Sequence, residues 1–341
     1  MFEPAPTSVE KIFTPAWLTE ALGVVAPERI VDVRSVDDYT TVLSKIRFEV
    51  DVVRGDGTRE TRRYCLKGGF TERAAVADIR IESRFLREVG PSLDVRMPVC
   101  RYGGIDETTG RCVFIMDDLV AEGVQWLNSQ FRYTPELAAQ ALTQLAILHA
   151  STWGADKLRD FEWLIGTGPS VAFMPLERLQ SNMDDGRSDA LPSELRDAAR
   201  IASAVGRVAP PSEHVCVVHG DPHSLNIYLD REGRPCLLDW QLAHVGHWAI
   251  DVAYHIAVVL DIETRRAHER ELLQGYLADL RRLGVDAPSF EDAWADMGRY
   301  LIYGFFLWNV ASATPRVDII EHVPRLGTAM LDHATLEKLG F

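Results

Sequence analysis

One stretch of the 341-residue chain concentrates groups suited to moving a phosphoryl group. It reads Val217-Val218-His219-Gly220-Asp221-Pro222-His223-Ser224-Leu225-Asn226-Ile227-Tyr228-Leu229-Asp230, and Cys236-Leu237-Leu238-Asp239-Trp240-Gln241 follows. The apolar run 215–218 reads as a strand that delivers a polar loop, 227–230 as a second strand that leaves it, and 235–240 as a third that ends in a carboxylate. Asp221, Asn226 and Asp239 can therefore converge at one mouth. Phosphoryl transfer requires such a set: a carboxylate beside the attacking hydroxyl, and hard oxygen ligands for Mg²⁺ on the nucleotide phosphates. Taken singly, Asp221 and Asn226 are also ordinary turn formers, and Asp239 an ordinary strand-end cap. The run His219, Asp221, His223, with His244 and His247 downstream, offers a metal-dependent hydrolase as a rival, although Pro222 spoils a regular strand there.

A second pair lies in the first third of the chain. Lys67 ends a strand. On the helix read from about Ala74 to Val89, the residues Ala75, Ile79, Leu86 and Val89 recur at helical spacing, and Glu82 falls inside that apolar stripe. A carboxylate buried without a partner costs about 3–5 kcal/mol, so a Lys67–Glu82 ion pair accounts for both residues and steadies a cation for nucleotide phosphates. Arg63 is the competing partner for Glu82. Glu88 lies on another face and reads as a solvated acid near Arg84 and Arg87. Lys67-Gly68-Gly69 follows a strand end and reads as closing a turn.

The elements that must position these groups fall into two parts, an α+β organisation. Residues 42–53 alternate, with Ile46, Phe48, Val50 and Val52 on one face and Lys45, Arg47, Glu49 and Asp51 on the other. The turn Arg54-Gly55-Asp56-Gly57 sends the chain back through 61–67 as a hairpin. The helix follows, then short strands at 98–102 and 112–116. After Asp117 and Asp118 the pattern changes to long helices, the first capped by Thr134 with Pro135 at its opening position. The expected lobes are therefore 1–118, a small antiparallel sheet plus one helix, and 119–341, mostly helical. The segment from Arg34 to Thr41, expected as the loop between the first two strands, contains no glycine to cradle phosphates; Thr40 and Thr41 are its candidate hydroxyls.

The run from His219 to Asn226, followed by Asp239, resembles the catalytic loop of the aminoglycoside and choline kinase superfamily, whose pattern is HGDxxxxN and then a metal-binding Asp. Asp239-Trp240-Gln241 and the segment 246–251 look closer to its ecdysteroid-kinase-like branch. The resemblance implies a protein-kinase-like two-lobed fold, ATP and Mg²⁺ as cofactors, and a small-molecule hydroxyl as acceptor. By the same resemblance Asp221 is the catalytic base, Asn226 and Asp239 are the metal ligands, and His219 supports the loop. Asp251, in Ile250-Asp251-Val252-Ala253-Tyr254, matches an aspartate that braces the loop from a helix. Phe114-Ile115-Met116-Asp117-Asp118-Leu119 resembles the hinge whose backbone meets adenine, so Asp117, Asp118 and Leu119 count as nucleotide-binding through their main chain, with the two carboxylates read as solvated. His149 matches a family helix motif and reads as a satisfied core histidine. His223 occupies a variable place in the pattern.

Composition narrows the rest. Thirty-six basic against fifty acidic side chains give a net charge of −14, which repels a nucleic-acid backbone. The five cysteines are an odd number, far apart and never in a CxxC pair, which fits reduced thiols in the cytoplasm. Residues 1–13 lack the basic-then-apolar order of a signal peptide, and the apolar stretch 301–311 is too short to span a bilayer. Residues 154–211 have the length of a substrate-binding insert. Trp153, Phe161, Trp163 and Phe173, with Trp308, favour a steroid-like or acyl-type alcohol over an aminoglycoside, core packing being the ordinary account of such residues. A nucleotide-binding protein without catalysis is the remaining alternative.

Overall fold

The computed structural model describes residues 5–6, 8–40, 43–70, 79–106, 108–154, 156–166, 168, 174–208, 213–312 and 314–341. Two compact units divide the chain: residues 1–92 with 97–124, and residues 93–96 with 125–341.

In the first unit, two short helices, α1 (Val9–Ile12) and α2 (Pro15–Ala21), precede a five-stranded antiparallel sheet. Its strands are β1 (Arg29–Thr40), β2 (Ser44–Val53), β3 (Arg59–Gly68), β4 (Cys100–Asp106) and β5 (Arg111–Asp117), in the spatial order β1-β2-β3-β5-β4. The alternation along β2 buries Ile46, Phe48, Val50 and Val52, and Ile12 and Leu18 of the helices join the same core. Between β3 and β4 the chain forms α3 (Arg80–Arg84), which widens into a π turn over Phe85–Val89. The helix read over 74–89 is thus seen from Arg80 onward, and residues 71–78 lie outside the described residues.

Two expectations need correction here. Residues 34–40 are not a loop: β1 runs through them as an edge strand paired with β2 as far as Thr40↔Ser44, and Thr41 lies outside the described residues. Charge pairing across the strands replaces apolar alternation, with Arg34 2.7 Å from Glu49 and 3.0 Å from Asp51. Irregularities between Ile30 and Asp32 and between Ser35 and Asp37 break the period of two on which the sequence reading depends. Nor does Lys67-Gly68-Gly69 close a turn, because β3 continues through Gly68, opposite Ser44 on one side and Val113 on the other. A β-carbon at Gly68 would press on the Phe70 ring at 2.8 Å.

In the second unit, α4 (Pro135–Thr152) is capped as its sequence indicates, the Thr134 hydroxyl accepting from the Leu137 N–H at 3.2 Å. Strands β6 (Gln125–Trp126), β8 (Ile227–Leu229) and β9 (Pro235–Leu237) form one small sheet, and β7 (Val215–Val218) pairs antiparallel with β10 (His244–His247). Helices α5 (Leu176–Asn182) and α6 (Ala198–Val205) lie between α4 and β7 in sequence. After β10 come α7 (Ala249–Val259), α8 (Ile262–Arg282), α9 (Phe290–Val310), α10 (Arg316–Asp332) and α11 (Thr335–Lys338). All eleven residues of α7 are buried, which is why its sequence is apolar on every face. Among the described residues no helix is long and apolar enough to cross a membrane. All five cysteines are free thiols, and burial raises Cys65 to about 11 and Cys100 to about 12.

Candidate active site

In the second unit the site grows from the end of β7. His219 and Gly220 follow that strand, and both of their backbone N–H groups donate to one carboxylate, Asp251 of α7, at 2.7 and 2.8 Å. Gly220 holds φ of +83°, and a β-carbon there would overlap the Leu242 carbonyl oxygen, so only glycine fits. His149 of α4 contacts the same carboxylate through Nε2 at 3.0 Å, and its Nδ1 contacts the Tyr276 hydroxyl at 2.7 Å. Burial by itself would raise the Asp251 carboxyl, but the hydrogen bond and charge of His149, with support from His219 and Gly220, hold it below the usual range.

The His219 ring is committed to the backbone. Its Nδ1 accepts from the Asp221 N–H at 3.2 Å, so Nε2–H donates to the Leu238 carbonyl at 3.1 Å. Burial lowers its pKa, although Asp251, Asp221 and Asp239 all act to raise it. A ring bonded at both nitrogens has no lone pair to give a metal, which removes the basis for a hydrolase built on His219, Asp221 and His223.

Asp221 is partly exposed, and its carboxylate accepts three bonds. Tyr254 Oη donates to Oδ1 at 2.8 Å, Asn226 Nδ2 donates to Oδ2 at 3.0 Å, and His223 Nε2 stands 3.3 Å from Oδ2. Burial works to raise the Asp221 pKa, yet the charge and hydrogen bond of His223 and the bond from Tyr254 leave it lowered, so the group is a carboxylate at neutral pH. Asn226 Nδ2 also donates to the Asp221 carbonyl at 3.0 Å. With both its bonds made through nitrogen, the Asn226 side-chain oxygen remains as a hard donor. Asp239 is brought beside this loop by the β8–β9 ladder: Ile227 pairs with Leu237, and the Leu238 N–H donates to the Asn226 carbonyl at 2.8 Å. Asp239 itself takes a left-handed backbone conformation, φ +64°, unusual for a residue with a β-carbon. An amide oxygen and a carboxylate oxygen form a donor set of the kind Mg²⁺ prefers.

In the first unit, Lys67 Nζ donates to Glu82 Oε2 at 2.5 Å, both side chains being almost fully buried. Arg63 bonds Glu49 at 2.7 Å, and Glu88 pairs with Arg84 at 2.8 Å, so neither competes for this couple. The carboxylates of Asp117 and Asp118 are not solvated as expected. Asp117 receives Arg101 at 2.7 Å, while Asp118 is buried against Arg47 Nε at 3.0 Å and caps the Val120 N–H. Their backbone N–H groups turn inward, to the carbonyls of Val99 and Arg63, whereas the Leu119 N–H has no partner among the described residues.

Sequence reasoning missed Tyr254, and it read Trp308 only as an aromatic that could line an acceptor pocket. Trp308 Nε1–H of α9 donates to Tyr254 Oη at 2.6 Å, and Tyr254 in turn donates to Asp221. The available signal was spacing, since Tyr254 follows Asp251 by three on a helix and so shares its face.

Residues 48–285, well over half of the chain, match the model of the phosphotransferase enzyme family, APH. The chain belongs to that family. This phosphotransferase is similar in structure to an aminoglycoside phosphotransferase-like protein of Ralstonia eutropha JMP134, at 16% identity and TM-score 0.56, over 94% of this chain and 96% of that one. It is also similar to aminoglycoside 2′-phosphotransferase-IIIa in its GDP complex, at 12% identity and TM-score 0.50, over 92% and 96% of the respective chains. At these identities the likeness concerns the fold, an α+β protein-kinase-like architecture with an N-terminal antiparallel sheet and a helical C-terminal part. No curated protein matches the sequence.

Proposed function

We propose that this phosphotransferase is a kinase that uses ATP and Mg²⁺ to phosphorylate a hydroxyl of a small molecule, with the first unit serving the nucleotide and the second carrying catalysis and acceptor binding. The observation that carries the reading is the Asp221 carboxylate, ionised and held at the end of β7 by Tyr254, Asn226 and His223, beside the oxygen donors of Asn226 and Asp239.

When bound, ATP supplies the transferred phosphoryl group and Mg²⁺ neutralises charge on it. Lys67, fixed by Glu82, binds the nucleotide phosphates. The backbone from Asp117 to Leu119 meets the base, with the Leu119 N–H as its donor. Asn226 and Asp239 hold the metal. Asp221 orients the acceptor hydroxyl and takes its proton. His219 and Asp251 are positioning residues: one ties the loop to Leu238, and the other fixes two loop amides. The five free thiols favour a reducing compartment such as the cytoplasm, and the negative charge disfavours nucleic acid.

For the acceptor, a steroid-like or acyl-type alcohol is preferred over an aminoglycoside, in keeping with the ecdysteroid-kinase-like branch. Tyr254, Trp308, His223 and His322 cluster next to Asp221, with the Trp308 ring 5.1 Å from that of His223 and 4.2 Å from that of His322. Burial and the neighbouring charges of His223 and Arg325 lower His322 well below the ordinary histidine range, so its ring adds aromatic surface without charge. Trp153 instead packs against His214, and Phe173 lies outside the described residues.

The test is ADP release from Mg·ATP in the presence of sterols, long-chain alcohols, choline, ethanolamine and aminoglycosides. Transfer to one of them, lost in Asp221→Asn, is the expected result. Thermal stabilisation by nucleotide with transfer to none would instead mark a nucleotide-binding protein without catalysis.

A further inference from the structure

A second constellation stands at the opposite end of β7 from the catalytic loop. His214 immediately precedes that strand, and His247 closes β10, where it pairs with Val215. Asp296 of α9 brings Oδ2 to 3.5 Å from His247 Nε2. One ring nitrogen from each histidine and a carboxylate oxygen of Asp296 all lie within 4.8 Å of one another, and among the described residues no other trio of His, Cys, Asp or Glu does so. The three open onto a cleft of about 760 Å³. We propose that His214, His247 and Asp296 form a binding site for one Zn²⁺ ion, with water from the cleft in the fourth position.

Four features support this site. Two imidazoles and a carboxylate are a zinc donor set, whereas Mg²⁺ selects oxygen alone. Ligands on a shared zinc stand about 3.3 Å apart, given metal–ligand bonds of roughly 2.0–2.1 Å, so a modest closing of the trio suffices. His214 holds φ of +53°, a backbone strain of the kind that gathers at ligand sites. The cleft's charged rim is net acidic, since Glu213, Asp286, Asp292 and Asp296 outnumber Arg207 and Arg299.

One contact opposes the metal. His247 Nδ1 accepts from the Ala249 N–H at 3.2 Å, which places the ring proton on Nε2, toward Asp296. Ligation through Nε2 moves that proton to Nδ1 and gives up this bond, a penalty of about 10- to 100-fold in affinity. Structural zinc sites bind more tightly than that loss by many orders of magnitude. Of the histidines that offered a metal-dependent hydrolase only His247, downstream of the His219-to-His223 run, takes part, and the ion would fasten α9 to the start of the strand that carries the catalytic loop.

The experiment is equilibrium dialysis of the full chain, stripped with chelator, against Zn²⁺ with excess Mg²⁺ present, followed by metal analysis and thermal unfolding. One Zn²⁺ per chain and a raised unfolding midpoint are expected. His214→Ala and Asp296→Asn, each shown to be folded by circular dichroism, should weaken binding by more than about 100-fold, beyond what an outer-sphere change produces. Asp239→Asn should bind as the parent does, which separates this site from the phosphate-transfer site. Failure of the parent to retain Zn²⁺, or stoichiometric Zn²⁺ in both His214→Ala and Asp296→Asn, would overturn the proposal.

Discussion

Tyr254 donates a 2.8 Å hydrogen bond to Asp221 Oδ1, and the direction of that bond is fixed by chemistry. The Trp308 indole can only donate, and an ionised carboxylate can only accept, so the phenol between them accepts from one and gives its single proton to the other. Burial and the facing Asp221 charge raise the phenol pKa well above its ordinary value, which keeps that proton in place.

Tyr254→Phe therefore removes the link while keeping the ring, and it strands the Trp308 N–H. A charge-assisted bond of this kind contributes about 1.5–3 kcal/mol, so urea unfolding should show a loss in that range. A loss below about 0.5 kcal/mol would mean that water replaces the phenol.

Glu82→Gln tests the first unit. It removes the carboxylate charge to which the buried Lys67 ammonium donates, at a cost of about 3–5 kcal/mol in denaturant unfolding. Lys67→Met combined with Glu82→Leu should recover most of that stability while nucleotide affinity stays lost. Equal instability of the single and the double variant would show that the pair does not act as a unit.

Asp221 and Asp239 should separate kinetically. Loss of general-base help is worth about 10²–10⁴ in rate, so Asp221→Asn should lower kcat by that factor with nucleotide affinity spared. Asp239→Asn should weaken Mg·ATP binding as well, measured by calorimetry. Near-normal transfer by the Asp221 variant would reassign the base.

His255 sets a pH limit on stability. Its Nδ1 contacts the Pro222 carbonyl at 2.7 Å, its buried Nε2 has no partner among the described residues, and burial lowers its pKa from 6.5 to about 4. The unfolded chain takes up this proton near pH 6.5 and the folded chain only near 4. Stability is thus constant in this respect above 6.5 and falls by up to about 3 kcal/mol between 6.5 and 4. His255→Gln should flatten that slope in urea midpoints compared at pH 7 and 4.5; an unchanged slope would assign it to other groups.

Legibility in the sequence followed the range of the interactions. The strand, loop and strand around Asp221 and Asn226 are local, and their apolar runs and turn residues were readable. Glu82 was readable because a charge inside an apolar stripe demands a partner, and Lys67 supplies it in the structure. The distal half of β1 was not, since an edge strand held by Arg34, Glu49 and Asp51 shows no apolar alternation. Asp118 looked solvated because Arg47, which buries it, lies 71 positions away and meets it only across the folded sheet. The chain from Trp308 through Tyr254 to Asp221 spans 54 and then 33 positions, and nothing in composition or periodicity links such residues.

Asp251 meets two loop amides and the His149 ring, and so locks α4, α7 and the loop after β7 into one register. None of the three can slide along another to suit a bulkier acceptor without breaking that lock. Accommodation of new substrates, in evolution or in the laboratory, is thereby steered toward segments outside it, such as the connection between α4 and β7, where changes in length leave the reacting groups undisturbed.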